Sequence, residues 1–149
     1  MSRCSGHKKD SKRYYDWMYH AYQDLMAARF LIQDGDLYEP TVFHCQQAVE
    51  KSLKSFMLYK AHRLFDGHNI TWLCKQAAML DCGFTPFIEK TVELNKFYIE
   101  ARYPADIPTI IDEETAQALL NCAESIAGIV CGAVKFDYNS YHKRRVRSS

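Results

Sequence analysis

A cationic stripe on an otherwise apolar helix is the part of this chain best suited to chemistry. Gln47, Lys51 and Lys54 recur at steps of four and three residues within His44–Lys60, HCQQAVEKSLKSFMLYK. At about 100° per residue they fall on one side with His44, while Val42, Cys45, Leu53 and Phe56 gather around Val49 on the other. Two ammoniums one turn apart, with an amide beside them, make a charge-assisted grip for a phosphate. The same spacing also describes a face turned to water. Glu50 stands at the border, beside Gln46 and Met57. A carboxylate so close to an apolar edge needs a cationic partner, and Arg102 or a lysine facing the helix would serve.

Arg102 and Tyr103 form the second candidate, just ahead of Pro104, where the backbone is restricted. A guanidinium there can grip a phosphate at two points, and Tyr103 or Tyr98 can stack on a base. In the structural alternative, Tyr103 packs on the end of the fold and Arg102 pairs with Glu50 or Glu100. The chain has six glycines and no G-x-x-x-x-G-K, so a nucleotide would have to bind through side chains and helix ends.

The elements that must position these residues are helical throughout. Tyr14, Trp17, Met18, Ala21, Leu25, Ala28 and Ile32 recur at helical steps, which predicts a first helix from about Lys12 to Asp34, ended by Gly35 and Asp36. Pro40 suits the first turn of a second helix running to about His62. Asn69 caps a third, Gly83 follows its end, and Pro86 opens a fourth. Pro104 and Pro108 mark a loop, and Asp112 caps a last helix that ends near Tyr138. No segment alternates with a period of two. The expected fold is all-α, an up-and-down bundle of four to five helices.

Three ordered motifs add a resemblance. His44, Gln47, Ala48, Glu50, Lys51, Leu53 and Lys54 resemble the second helix of a HEPN domain, a nucleotide-binding module of prokaryotes and higher eukaryotes. Gln47 is one place off the commonest spacing. Gly67, His68, Asn69, Ile70 and Leu73 are similar to the start of that family's third helix, and Phe97–Asp106 to its R-Y-P-D segment. The resemblance implies a HEPN-like bundle acting as a homodimer and binding a nucleotide of the ATP or GTP class. Gln47, Lys51, Lys54, Arg102 and Tyr103 would hold the phosphate and base. It also implies a partner of the minimal nucleotidyltransferase type, as in toxin–antitoxin pairs; a similar domain closes the eukaryotic protein sacsin.

Many ribonuclease members of that family carry R-x4-6-H, and Arg63 and His68 match it on letters. A histidine there moves a proton at the 2′-hydroxyl, and an arginine steadies the charged phosphorane. The match lies ahead of the third helix, whereas the family's motif comes after it, at the position of Arg102. There Ile107, not histidine, stands five residues on. The expectation is therefore a noncatalytic nucleotide-binding or regulatory module with no assigned catalytic residue. A metal-independent ribonuclease toxin and a ligand-free interaction bundle are the alternatives.

Composition sets the remaining bounds. At 149 residues, 48% hydrophobic and 25% charged, the chain is one globular domain. Without an apolar run of about 18 residues or a signal core, the expected address is cytoplasmic, with no membrane partner. Six cysteines occur without C-x-x-C or zinc-finger spacing, so they are expected as small core residues, with no metal and no cofactor. Net charge is +1, but residues 14–142 hold ten basic and seventeen acidic side chains. That acidic body is unlike a general nucleic-acid binder. Residues 1–12 and 141–149 are expected as disordered basic segments flanking a bundle over 13–140; the KRRVR stretch admits RNA as a further partner. Ten tyrosines exceed what a small core needs, and Tyr14, Tyr15, Tyr19 and Tyr22 are expected at a subunit interface.

Overall fold

In a computed structural model, which describes residues 9–97 and 110–148, every regular element is helical. The α-helices are α1 (Tyr14–Leu31), α2 (Tyr38–Ala61), α3 (Ile70–Leu80), α4 (Ile88–Asn95), α5 (Glu113–Val134) and α6 (Tyr138–Ser148). A short 3-10 helix, Cys82–Phe87, links α3 to α4 and contains Pro86. The all-α bundle expected from periodicity is the fold observed, with six α-helices among the described residues.

Local chemistry explains several boundaries. Asn69 accepts from the Trp72 backbone N–H at 3.0 Å and Asp112 from that of Thr115 at 2.8 Å, as N-caps do. Asp81 repeats the pattern at the 3-10 helix, accepting from the Gly83 N–H at 2.9 Å. α2 and α5 each end on a residue in the left-handed region, His62 and Lys135, both with φ of 55°.

The helix α2 is the axis of the molecule. It runs antiparallel to α1, since Ser55 bonds the Tyr14 carbonyl at 2.8 Å while His44 and Lys51 meet Asp24 near the far end. α5 covers a second side, and α3 and α4 a third. Val42, Cys45, Val49, Leu53 and Phe56 have no solvent exposure, and the Phe56 ring meets Phe84 edge-on at 4.8 Å. α5 is long and apolar enough in composition to cross a membrane, yet its Leu119, Ala123, Ile126 and Val130 are core residues of the bundle.

Burial pushes the Cys45 and Cys122 thiols up to about 12 and that of Cys74 to about 11, so all three stay protonated at neutral pH. They pack as small apolar groups, with Cys45, Cys74, Cys82, Cys122 and Cys131 all free thiols.

Two expectations change. Residues 141–148, expected within a disordered tail, belong to the helix Tyr138–Ser148. It lies on α1 and engages Tyr15, Tyr19 and Tyr22, three of the four tyrosines expected at a subunit interface, while Tyr14 meets Tyr59 of α2 at 5.0 Å. Tyr19 stacks on Tyr138 at 5.1 Å and hydrogen-bonds His142 at 2.9 Å, and Tyr15 meets Tyr141 at 5.5 Å. Tyr22 packs against Phe136 and Tyr138. Tyr141 donates a hydrogen bond to Asp16, and the Arg145 guanidinium lies 4.5 Å above the Tyr19 ring. Aromatic and cation–π contacts hold α6, which buries no residue of its own.

A cationic cleft between the first, second and last helices

The polar side of α2 is not a free surface. Lys54 and Glu50 are only 5% and 4% exposed, so Lys54 neither faces water nor stands open as the phosphate-binding residue expected of it. A buried ammonium needs a counter-charge, and Lys54 Nζ lies 3.1 Å from Glu50 Oε2, one turn back. It also lies 5.4 Å over the Trp17 ring. The second partner of Glu50 is His68, whose Nδ1 is 3.0 Å from Oε2 and 3.1 Å from Oε1. Glu50 thus ties α2 to the loop before α3. Gln46, fully buried, donates to the His68 carbonyl at 3.4 Å, and Gln47 donates to Gln46 at 2.7 Å.

Lys51 belongs to a separate group. Its Nζ donates to Asp24 Oδ2 at 2.7 Å, and His44 Nδ1 sits 2.8 Å from Asp24 Oδ1. Asp24, 9% exposed, is held between two groups from α2. The stripe of Gln47, Lys51 and Lys54 is therefore divided among three environments and does not converge on one phosphate.

Lys51 also faces a cleft of about 500 Å³. Trp17 and His20 line it from α1, Lys9 and Ser11 from the segment ahead of α1, and Arg145 from α6; Asp10 and Asp16 complete the wall. Trp17 is fixed there by donating its Nε1–H to the Ser11 carbonyl at 2.7 Å. Burial lowers the His20 pKa, and Lys51 and Arg145 lower it further against the opposing pull of Asp24 and Asp16. The cations thus dominate the field at His20. An ammonium pair, a guanidinium and two flat rings around one open volume suit a phosphate joined to a planar base.

Of the other sequence candidates, Arg102 and Tyr103 lie outside the described residues. Arg63 lines a smaller cleft of about 350 Å³ with Lys12, Leu58, His62 and Leu64, and its guanidinium sits 4.7 Å over the Phe65 ring. His68 is engaged with Glu50 and does not line that cleft. Arg63 and His68 therefore occupy different settings. Asn69 caps α3, as its place in the sequence predicts. Among the described residues, no group of three His, Cys, Asp or Glu side chains is placed to hold a metal ion.

Trp17, His20 and Asp24 were not singled out as site residues in the sequence, and Arg145 entered only within the KRRVR stretch. A signal for the first three existed, since positions 17, 20 and 24 share one face of α1. The many tyrosines around them masked it. Nothing in the sequence linked Arg145 to α1.

A family model described as the HEPN domain matches residues 14–134. Among solved structures, an archaeal HEPN homologue is 29% identical with a TM-score of 0.66, covering 83% of this chain and 99% of its own. A protein from Thermus thermophilus is 28% identical with a TM-score of 0.68, covering 80% of this chain and 97% of its own. No protein of curated function matches the chain. The match over α1 to α5, together with the archaeal homologue, settles the family: this chain belongs to the HEPN domain family.

Proposed function

We propose that the protein is a noncatalytic nucleotide-binding module whose ligand enters the cleft of Trp17, His20, Lys51 and Arg145. The observation that carries this reading is the convergence of Lys9, Lys51 and Arg145 with two aromatic rings around one cleft. Thermal unfolding with ATP, GTP, their diphosphates and plain phosphate tests it. A ligand at a hundred times its dissociation constant adds ~2.7 kcal/mol of stability. Stabilisation by a nucleotide beyond that by phosphate, reduced in Lys51→Ala, supports the reading. No stabilisation by any of them overturns it and leaves an interaction bundle.

Acting as a homodimer and pairing with a minimal nucleotidyltransferase partner belong to the same proposal. Because α6 engages Tyr15, Tyr19 and Tyr22, a second copy would use another face, such as that of Met26 and Phe30, which are 41% and 77% exposed. Light scattering of the purified chain tests the pairing. The ribonuclease reading needs Arg63 and His68 at one phosphate, and their separate engagements with Phe65 and Glu50 weigh against it. Toxicity on expression that His68→Ala removes would reinstate it.

A further inference from the structure

Asp24 prepares His44 for chemistry that the nucleotide cleft does not use. His44 Nδ1 lies 2.8 Å from Asp24 Oδ1, while the other carboxylate oxygen takes the Lys51 ammonium at 2.7 Å. An ionised carboxylate only accepts, so Nδ1 carries the ring proton and the Nε2 lone pair is left free. Nε2 has no hydrogen-bond partner among the described residues and is not enclosed, so it opens to solvent. The imidazole is 31% exposed against 12% for the carboxylate that holds it. Phe43 meets the ring edge-on at 5.5 Å and steadies its plane.

The surroundings of His44 suit an anionic reactant. From Thr41 to Leu58, all of α2 is buried except Phe43, His44, Gln47 and Lys51. Gln47 and Lys51 follow His44 at three and seven residues, which puts all three on one face of the helix. His68 also meets a carboxylate, Glu50, but the ammonium beside it, Lys54, is buried and closed to a ligand.

We propose that His44 is a phosphoacceptor, modified at Nε2 by a small acyl phosphate. The Nε2 lone pair attacks phosphorus, and the N–P bond forms as the bond from phosphorus to the acyl oxygen breaks. The carboxylate leaves with the electron pair. The Nδ1 proton stays in place, so the ring takes on positive charge, which Asp24 stabilises as a positioning residue. Lys51 neutralises Asp24, so a dianionic donor is not repelled, and its ammonium attracts the phosphoryl oxygens. An N–P bond is itself activated, and a mixed anhydride is a small donor of comparable transfer potential. His44 does not line the Lys51 cleft, so this chemistry stands apart from the nucleotide reading.

Incubating the purified chain with acetyl phosphate tests the proposal. Intact mass should show one added phosphoryl group, labile in acid and stable in alkali, and phosphorus NMR should place it on Nε2. His44→Gln should abolish the modification with helical circular dichroism unchanged, and His62→Gln should keep it. Asp24→Asn no longer fixes the tautomer, so it should slow the reaction at least ~tenfold and yield both ring isomers. No added phosphoryl group, or one that survives His44→Gln, would overturn the proposal. Acetylation of His44 in place of phosphorylation would overturn the assignment as a phosphoacceptor. An unchanged rate with Nε2 alone modified in Asp24→Asn would overturn the role given to Asp24.

Discussion

Lys54 shows how one side chain can change meaning between sequence and fold. Its spacing places it on the polar side of α2, yet it is buried between Glu50 and the Trp17 ring. The phase of α2 was read correctly, since Val42, Cys45, Leu53 and Phe56 are all fully buried. Periodicity finds the most apolar stripe of a helix but not the width of the sector its neighbours enclose. Here fourteen residues of α2 are buried, so the enclosure reaches well past the stripe. Lys54→Ala should therefore cost ~3–5 kcal/mol in urea unfolding, because it takes the ammonium from a buried Glu50 carboxylate and leaves His68 as its remaining partner. Removing both charges, as in Glu50→Leu with Lys54→Met, should recover much of that loss. Ser52 makes the opposite case. Its hydroxyl is buried and bonds to no described residue, so Ser52→Ala should leave stability unchanged or raise it by up to ~1 kcal/mol. The field at His20 gives a third residue-level prediction. Its pKa is lowered in the free protein by burial and by Lys51 and Arg145, and a bound anion would raise it. Nucleotide binding should then take up a proton and tighten as pH falls through the ordinary imidazole range, from about 7 to 5. Calorimetry at both pH values checks this, and His20→Gln should flatten the difference.

Helix α6 was not legible as an element because residues 138–148 lack a run of aliphatic positions. The contacts that hold it are rings and guanidinium groups reaching to α1, and those depend on a distant partner. Asp137 begins the helix by accepting from the Asn139 and Ser140 N–H groups at 3.1 and 3.4 Å. Asp16 helps to pin it. Burial alone would raise the Asp16 carboxyl, but hydrogen bonds from Ser11, Tyr141 and Arg13 outweigh it and hold the group below its ordinary value. A depressed carboxylate stabilises the fold above its unfolded pKa and loses that effect as pH falls through the folded one. The α6 amides should therefore lose hydrogen-exchange protection below about pH 4, before those of α2. In Asp16→Asn the looseness should already be present at neutral pH. The end of α2 carries a different strain. His62 adopts φ of 55°, which glycine reaches without a Cβ clash, so His62→Gly should raise stability by up to ~1 kcal/mol in thermal unfolding.

At the scale of the whole molecule, the bundle and its family were legible. Helix caps at Asn69 and Asp112 and a continuous apolar stripe through α2 leave few other ways to bury the core. Phe56→Ala should cost ~3–5 kcal/mol in chemical denaturation, since the ring is fully enclosed and rests on Phe84. The candidate site was less legible. It draws on the segment before α1, on α1, on α2 and on α6, and no single motif spans residues that only folding brings together. The placement of Trp17 has a further consequence, and it is optical. The chain has two tryptophans. Trp72 is 42% exposed and meets Phe65 edge-on at 5.1 Å, away from the cleft that Trp17 lines. Trp17 emits beside an ammonium 5.4 Å from its ring. In Trp72→Phe the remaining fluorescence would report the cleft alone, so the protein carries its own dye for watching a ligand arrive.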